Sequence, residues 1–325
     1  MDRPKILVTH RLFEEPRAKL GEHFEAEYWN DSERPPRAEV LRRVADKDGL
    51  ICLLTEKINE ELLAAAPRLR VVANIAVGFD NIDVDVCTRH NVAVSNTPGV
   101  LDETTADFAW ALLMAVARRL IEGDAMARSG QWKGWNLDQL VGADVWGKTL
   151  GILGFGRIGR AVARRANGFG MHIIYNDAVR AASEVESELR AEFMERDAVL
   201  SEADFVSLHV PLFESTRGLI GPRELALMKP TAFLINTSRG PVVQEAALVA
   251  ALENHRIAGA ALDVFEREPQ IGHGLLRPNV VLAPHLASAS LETRTRMAMM
   301  AVENMIAFFE GHRPPNLVNP AVWRK

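Results

Sequence analysis

The chain has 325 residues, of which 48% are hydrophobic and 25% are charged. This length suits about two domains with sizeable cores, and the composition is ordinary for a globular protein. The formal net charge of −5 argues against binding to nucleic acid or to an anionic membrane surface.

The first hundred residues alternate short β-branched runs with amphipathic stretches. The runs with strand character are residues 6–8, 49–53, 71–75 and 92–94. Apolar side chains at helical spacing lie between them, at residues 38–45, 59–66 and 84–90. Such alternation predicts parallel βα units.

A second series of the same kind begins near residue 149. Its predicted strands are residues 149–153, 172–175, 205–208, 232–236, 259–262 and 280–283. Its predicted helices are residues 158–169, 224–227 and 246–254. The two series together predict an α/β fold with parallel sheets that helices cover on both faces.

Two breaks divide the chain. Residues 96–99 end the first series before a long helix predicted at about 101–128, and residues 287–290 precede a final helix at about 291–310. If the final helix returns to the first domain, the second domain is an insertion. We therefore expect one domain of residues 1–99 and 288–325, and an inserted domain of residues 100–287.

The chain shows no sign of export or membrane insertion. Its start has no signal-peptide pattern, and the longest apolar run, residues 108–117, is too short to span a bilayer. Cys52 and Cys87 are the only cysteines and lack metal-type or redox-type spacing. A cytoplasmic location is therefore expected.

Gly154, Gly156 and Gly159 form a Gly-x-Gly-x-x-Gly motif between a predicted strand and a predicted helix. In that setting the first glycine permits a tight turn, the second lets a pyrophosphate approach the backbone, and the third lets helix and strand pack closely. Arg157 and Ile158 offer the first N–H groups of the helix, whose positive dipole end favours phosphate. The motif predicts a dinucleotide site, and a glycine-rich turn without ligand is the alternative.

Asp177 lies at the end of the next predicted strand, 18 residues beyond Gly159. A carboxylate there accepts hydrogen bonds from a ribose 2′-hydroxyl and repels a 2′-phosphate, which favours NAD(H) over NADP(H). Arg180 follows three residues later and could soften this preference, so NADP(H) stays possible. A plain turn residue is the competing interpretation of Asp177.

Arg239, Glu268 and His285 each follow a predicted strand of the second series. Arg239 suits the binding of a keto acid carboxylate because its planar fork matches that group. His285 suits the protonation of the developing alkoxide, and a nearby Glu268 would favour the charged imidazole. A surface arginine, a solvated glutamate and a buried histidine are the alternatives. Their joint placement after the dinucleotide motif favours the catalytic interpretation.

With these residues in place, the chain resembles the D-isomer-specific 2-hydroxyacid dehydrogenases over nearly its whole length. The matching segments are residues 76–83 (Ala-Val-Gly-Phe-Asp-Asn-Ile-Asp), 96–99, the glycine motif, 210–212, 225–230 and the segments of the three candidate catalytic residues. Residues 53–55, 74–78 and 130–135 resemble the glyoxylate/hydroxypyruvate reductase branch in particular.

The resemblance implies two doubly wound parallel-sheet domains, a Rossmann cofactor domain inserted into a flavodoxin-like substrate domain. It implies that Val77 and Gly78 offer backbone N–H groups to the substrate carboxylate, with Leu54 and Ser288 nearby, and that Asp263 holds the nicotinamide carboxamide. The further residues that it implies along the cofactor are Thr105, Val210, Pro211, Thr216 and Thr237.

The predicted activity is reduction of a small 2-keto acid, glyoxylate or hydroxypyruvate, to the D-2-hydroxy acid. Another substrate such as 2-ketogluconate, D-lactate or phosphoglycerate is an alternative. A non-catalytic NAD(H)-sensing interaction protein is a second one, because relatives of this family serve as transcriptional corepressors. The histidines lack the spacing of a metal site, so no metal is expected.

A homodimer is also expected. The predicted helix at about 101–128 carries more apolar surface than one domain face needs, at Trp110, Leu112, Leu113, Met114 and Val116. Core burial is the competing interpretation. Trp135 resembles a pocket tryptophan that reaches across a dimer interface in this branch, and interface packing without substrate contact is its alternative.

Overall fold

The computed structural model describes residues 3–31 and 33–323. The strands, in chain order, are β1 (Lys5–Val8), β2 (Glu25–Tyr28), β3 (Gly49–Cys52), β4 (Val71–Asn74), β5 (Ala93–Ser95), β6 (Thr149–Leu153), β7 (His172–Asn176), β8 (Ala191–Phe193), β9 (Phe205–Leu208), β10 (Phe233–Asn236), β11 (Gly259–Leu262) and β12 (Val280–Leu282). The α-helices are α1 (Glu14–His23), α2 (Arg37–Val44), α3 (Glu60–Ala65), α4 (Val84–Arg89), α5 (Asp102–Ala117), α6 (Leu120–Arg128), α7 (Arg157–Ala166), α8 (Ser183–Leu189), α9 (Arg196–Glu202), α10 (Pro222–Leu227), α11 (Glu245–Glu253) and α12 (Leu291–Phe309).

The chain divides into two compact units. Unit 1 contains the residues up to Leu101 and those from Ala289 onward, and unit 2 contains Asp102–Ser288. Unit 1 has a five-stranded parallel sheet in the order β2-β1-β3-β4-β5. This is the flavodoxin-like order, in which the chain reverses direction across the sheet between β1 and β3.

Unit 2 has a seven-stranded parallel sheet in the order β12-β11-β10-β9-β6-β7-β8. Read from β8, the first six strands have the Rossmann order, and β12 extends the sheet beyond β11. The order reverses between β6 and β9, so the loops after these two strands diverge and leave room for a ligand. The predicted fold class is thereby confirmed.

The core of unit 2 lies on both faces of its sheet. Leu150 and Ile152 of β6 belong to one apolar cluster, which also includes the buried side chains of α5 and α7. Leu153, at the end of the same strand, belongs to a second cluster with buried side chains of α9 and α11. Strands that are covered on both faces have continuous apolar sequences, which explains why the inner strands could be predicted from the sequence.

The prediction of a single helix at about residues 101–128 is wrong, because the structure has two helices, α5 and α6, in this segment. Arg119 between them adopts a left-handed backbone with φ of 53°. The carbonyl oxygen of Ala117 accepts a 2.8 Å hydrogen bond from the N–H of Ala143. A Cβ on Gly142 would lie 2.3 Å from that oxygen, so a close approach from a distant loop ends α5.

The apolar side chains of α5 are core residues. Trp110, Leu112, Leu113 and Val116 are all buried within unit 2, and Met114 packs half-buried against the same cluster. The ring of Trp110 stacks on Phe169 with centroids 4.5 Å apart. Core burial, the competing interpretation, therefore accounts for them, and they give no argument for a subunit interface.

Two negative findings concern residues 3–31 and 33–323. Within them, no helix combines the length and apolar character that crossing a membrane requires. Nor does this part of the chain bring three His, Cys, Asp or Glu side chains into a group that could hold a metal ion.

Candidate active site

The glycine turn after β6 places a different physical demand on each of its glycines. Gly154 has φ of 93°, and a Cβ there would lie 2.6 Å from the backbone carbon of His209. A Cβ on Gly159 would lie 2.1 Å from the oxygen of Gly154. A Cβ on Gly156 would meet no atom within 4 Å, so this glycine borders open space. The turn thus has room for a phosphate where the dinucleotide motif requires it.

Helix α7 begins directly behind this turn. Its N-cap is Gly156, which has no side chain to accept from the first N–H groups, and its first turn contains no acidic residue. The N–H groups of Arg157 and Ile158 and the positive end of the helix dipole therefore suit an anion. The Arg157 side chain itself lies 3.2 Å from the carboxylate of Asp102.

Asp177 directly follows β7 and supports the glycine turn. Its Oδ2 accepts a 2.6 Å hydrogen bond from the N–H of Phe155, and its Oδ1 accepts a 3.2 Å bond from the N–H of Val179. The carboxylate is therefore fixed beside the turn, at the place where the ribose of a dinucleotide lies in this fold.

The structure brings Glu268 and His285 together. Oε2 of Glu268 lies 2.9 Å from Nδ1 of His285, and Oε1 accepts a 3.1 Å hydrogen bond from the N–H of Phe265. Burial opposes the charge on Glu268, but the hydrogen bond and charge of His285, the Phe265 N–H and the charge of Arg239 together lower the pKa of this carboxyl group. An ionised Glu268 can orient the imidazole of His285 and stabilise its charged form.

Arg239 is held near this pair by the loop after β10. Nδ2 of Asn236 donates a 3.0 Å hydrogen bond to the carbonyl of Arg239, and the Arg239 guanidinium donates from Nη1 to the carbonyl of Ser238 at 2.8 Å. A Cβ on Gly240 would lie 1.9 Å from the carbonyl carbon of Phe265. The Arg-Gly sequence therefore lets this loop pack against the loop that carries Glu268.

Asp263 holds the loop of His285, a relationship that the sequence did not indicate. Its fully buried carboxylate accepts hydrogen bonds from the N–H groups of Leu286 at 2.6 Å and Ala287 at 2.8 Å. Burial raises the pKa of Asp263, while these two N–H groups and the charge of His285 oppose the rise. His285 itself has φ of 55°, so its backbone is in the sparsely populated left-handed region.

The other predicted cofactor residues follow β9 and β10 or, for Thr105, lie in α5. The buried Oγ1 of Thr237 has no hydrogen-bond partner in the described part of the chain. A hydroxyl group that binds a ligand would lack a protein partner in the same way. Thr216 is engaged in its own loop, donating to the carbonyl of Pro211 at 2.6 Å and accepting from the N–H of Phe213 at 2.8 Å. Val210 follows His209 against Gly154, and Thr105 is buried in α5.

His209 is a structural neighbour of the glycine turn. Its Nε2 lies 2.8 Å from Oγ of Ser207, and burial lowers its pKa to about 4. The ring is therefore neutral near pH 7.

The predicted substrate residues Leu54, Val77 and Gly78 follow β3 and β4 of unit 1, whereas Ser288 ends unit 2. Asn96 donates from Nδ2 to the carbonyl of Val77 at 2.8 Å, and Asn74 does the same to the carbonyl of Gly78 at 3.0 Å. The first bond fixes the peptide group that carries the N–H of Gly78. The N–H of Thr97 fixes the one that carries the N–H of Val77, by donating to the carbonyl of Ala76 at 2.9 Å, as a backbone anion site requires.

The Rossmann strand order, the glycine turn and the fixed carboxylate after β7 together define a dinucleotide-dependent α/β protein. Residues 110–287 match the family "D-isomer specific 2-hydroxyacid dehydrogenase, NAD binding domain". A glyoxylate reductase of Korarchaeum cryptofilum is 54% identical over 323 residues, covering 98% of this chain and 97% of the relative.

Solved structures agree over nearly the whole length. The TT0316 protein of Thermus thermophilus superposes with a TM-score of 0.91 at 44% identity, covering 97% of this chain and 99% of that one. An NADPH-dependent glyoxylate/hydroxypyruvate reductase of Sinorhizobium meliloti, solved with NADP and malonate, has a TM-score of 0.88 at 35% identity and covers 100% and 99% of the two chains.

The chain therefore belongs to the D-isomer-specific 2-hydroxyacid dehydrogenase family, and the predicted family is confirmed. It is an oxidoreductase that uses a nicotinamide cofactor to reduce a 2-keto acid, as the sequence predicted.

Proposed function

We propose that this chain reduces glyoxylate or hydroxypyruvate to the corresponding 2-hydroxy acid. The observation that carries the proposal is the 2.9 Å pairing of Glu268 with His285, beside the charge of Arg239. The relative from Korarchaeum cryptofilum bears the name glyoxylate reductase, and the structure from Sinorhizobium meliloti belongs to a glyoxylate/hydroxypyruvate reductase.

In this proposal the three residues divide the work. The bound nicotinamide supplies the hydride. Arg239 binds the carboxylate of the keto acid and polarises its carbonyl group, because its planar guanidinium matches a carboxylate and carries a permanent charge. His285 delivers a proton from Nε2 to the carbonyl oxygen, since Nδ1 is engaged with Glu268. Glu268 orients the ring and favours its charged form.

We further propose the residues that hold the two ligands. Residues 100–287 act as the cofactor domain, and residues 1–99 with 288–325 act as the substrate domain. The proposed substrate contacts, besides Arg239 and His285, are Leu54, Val77, Gly78 and Ser288. The proposed cofactor contacts are Thr105, Gly154, Gly156, Arg157, Ile158, Gly159, Asp177, Val210, Pro211, Thr216, Thr237 and Asp263.

NAD(H) is the proposed cofactor, with NADP(H) as a weaker alternative. The carboxylate of Asp177 is fixed beside the glycine turn by the N–H of Phe155, and a negative charge there repels a 2′-phosphate. For Asp263, both carboxylate oxygens accept from Leu286 and Ala287, so contact with the nicotinamide carboxamide would add to an existing structural role.

We also propose a cytoplasmic homodimer. The support lies in residues 129–147 of unit 2, where Trp132, Trp135, Leu137, Val141 and Trp146 are exposed. Large apolar side chains clustered in one segment are typical of a surface that a partner covers. Trp135 is 80% exposed in the single chain, as a side chain that inserts into a partner subunit would be.

The test is a panel of 2-keto acids assayed with NADH and with NADPH by the loss of reduced-nicotinamide absorbance. We expect the highest kcat/KM for glyoxylate or hydroxypyruvate with NADH. A larger kcat/KM for pyruvate, 2-ketogluconate or phosphohydroxypyruvate would contradict the proposed substrate. Tight NADH binding without turnover of any acid in the panel would indicate a sensor instead of an enzyme.

A further inference from the structure

We propose that Glu186 is a specificity-determining residue, which disfavours dinucleotides with a 2′-phosphate by holding Arg180 in an ion pair. The inference rests on the proposed NAD(H) site and deepens it. Asp177 would act on the phosphate directly by repulsion. Glu186 would act through competition, because it engages the cation that a 2′-phosphate would need.

The ion pair is a two-point contact. Arg180 donates from Nε to Oε1 of Glu186 at 2.9 Å and from its Nη2 atom to Oε2 at 2.9 Å. The Arg180 side chain is 64% exposed, whereas that of Glu186 is only 13% exposed. The carboxylate is therefore the anchored partner, and the guanidinium reaches to it from the surface. A parallel two-bond contact of this kind fixes the orientation of the guanidinium as well as its position.

The carboxylate of Glu186 is held from the other side by a buried tyrosine. The hydroxyl of Tyr175 donates to Oε1 of Glu186 at 2.6 Å and accepts from the N–H of Ala181 at 2.9 Å. The Tyr175 side chain is fully buried in β7, so it cannot follow the carboxylate to another position. The hydrogen bonds of Arg180 and then of Tyr175 lower the pKa of Glu186 to about 2, so the pair is ionised near neutral pH.

The same tyrosine connects this pair to the glycine turn. The ring of Tyr175 stacks on that of Phe155, with centroids 3.9 Å apart and an angle of 19° between the planes. Phe155 is the residue between Gly154 and Gly156, and its N–H donates to Asp177. In this proposal, Asp177 and Arg180 are the two charged side chains that decide whether a 2′-phosphate binds. Both are connected to the stacked rings of Tyr175 and Phe155 behind the glycine turn, Asp177 through the N–H of Phe155 and Arg180 through Glu186.

A 2′-phosphate bound near Asp177 would attract Arg180, the cation that follows it by three residues. To reach the phosphate, the guanidinium must give up both hydrogen bonds to Glu186. It must also leave Phe193, whose ring lies 5.6 Å from its central carbon. Glu186 would then keep only Tyr175 as a side-chain partner, at a position only partly open to water. This loss offsets the gain from phosphate binding, whereas a cofactor with a free 2′-hydroxyl leaves the pair intact.

The test measures binding without turnover, in the full-length protein. Isothermal titration with 2′,5′-ADP and with 5′-AMP separates the effect of the 2′-phosphate from the rest of the adenosine site. For Glu186→Gln we expect roughly tenfold tighter binding of 2′,5′-ADP, because a released Arg180 can form a charge-assisted bond to the phosphate. Binding of 5′-AMP should change much less. The ratio of kcat/KM for NADPH to that for NADH should rise in the same direction.

Three further variants make the result specific. Glu184→Gln removes the same charge from the exposed side of α8, so it should leave the 2′,5′-ADP affinity unchanged if the effect is local. Adding Arg180→Ala to Glu186→Gln should abolish the gain. Glu186→Ala also releases Arg180 from its ion pair, so it should give a gain of the same sign even if Glu186→Gln folds poorly.

Failure of the proposed dinucleotide site and failure of the proposed role of Glu186 give different results. Wild-type protein that binds neither 5′-AMP nor NADH would overturn the dinucleotide site, and with it this inference. Wild-type protein that binds 5′-AMP while Glu186→Gln and Glu186→Ala show no gain for 2′,5′-ADP would overturn the inference alone. So would a gain that persists without Arg180, or an equal gain in Glu184→Gln.

Discussion

Nδ1 of His285 lies 2.9 Å from Oε2 of Glu268. The backbone of His285 has φ of 55°, and the buried carboxylate of Asp263 secures the two residues that follow it. The imidazole is therefore oriented from both ends, by a side-chain partner at the ring and by a braced loop at the backbone. In the proposed reaction this leaves Nε2 as the atom that exchanges a proton with substrate.

Glu268→Gln is expected to lower kcat for keto acid reduction by roughly tenfold or more, the effect of weakening one charge-assisted hydrogen bond. The carboxylate of Glu268 lies 2.9 Å from Nδ1 of His285 and orients the ring, and a neutral amide would hold it less firmly. Steady-state kinetics with a titration of NADH binding as the control measure this. A kcat equal to that of the wild type would show that Glu268 does not position His285.

His285→Ala is expected to reduce kcat by roughly a hundredfold or more, the contribution typical of a general acid. Binding of NADH should change little, because no predicted phosphate or ribose contact is lost. NADH fluorescence titration and steady-state kinetics measure the two effects separately. His172→Ala, at the opposite end of β7 from Asp177, is the matched control. Turnover near that of the wild type in His285→Ala would remove His285 from the mechanism.

The sequence predicts those strands whose side chains are buried on both faces of a sheet. The inner strands β3, β4, β6 and β9 are buried at nearly every position and read as apolar runs. The edge strands β2 and β8 were missed. Their sequences, Glu-Ala-Glu-Tyr and Ala-Glu-Phe, are partly exposed and carry no such signal.

In the candidate site, too, the sequence predicts some features and not others. The positions of Arg239, Glu268 and His285 after successive strands were visible, because parallel strands end at one edge. The contacts of Asp263 with Leu286 and of Glu186 with Tyr175 were not, since they join different loops and elements through packing. The break after α5 depends likewise on Gly142, 25 residues beyond Ala117.

His209 is expected to make the protein less stable in acid. Burial lowers its folded-state pKa to about 4 from the ordinary histidine value of 6.5, so the unfolded chain takes up a proton first as the pH falls. Stability from this neutral ring is present above pH 6.5 and is lost between pH 6.5 and 4, amounting to about 2 kcal/mol by pH 5. His10, with the same lowered pKa of about 4, adds to the loss.

Urea unfolding at pH 7 and at pH 5 measures this contribution. His209→Asn should lose about 2 kcal/mol less than the wild type between the two pH values, because it has no proton to take up. His172→Asn, which alters an exposed histidine, should behave as the wild type does. An acid loss in His209→Asn equal to that of the wild type would exclude His209 as its source.

The protein is expected to be a homodimer at micromolar concentration, with the apolar segment of residues 129–147 in the interface. Replacing both Trp135 and Leu137, which are 80% and 84% exposed, with serine should yield monomers, because it removes apolar surface that association would bury. Multi-angle light scattering measures the mass. Leu276→Ser, in another exposed segment, should remain dimeric. A monomeric wild type would contradict the prediction.

Gly156→Ala and Gly159→Ala are expected to fail in opposite ways, although both remove a glycine of the same motif. A Cβ at Gly156 meets no protein atom within 4 Å, and its φ of −73° suits alanine. Gly156→Ala should therefore fold with nearly unchanged stability, but its methyl group would occupy the space proposed for the pyrophosphate. We expect NADH binding to weaken by roughly tenfold or more, the effect of losing about one good hydrogen bond.

Gly159→Ala has the reverse profile. Its Cβ would lie 2.1 Å from the carbonyl oxygen of Gly154, so α7 must move away from β6 or the turn must deform. We expect a loss of stability of about 1–3 kcal/mol, as for other overpacked sites, together with weaker binding. Thermal unfolding with and without NADH separates the two. If Gly156→Ala binds NADH as the wild type does, the open space beside Gly156 is not where the pyrophosphate lies, and the proposed dinucleotide site is wrong.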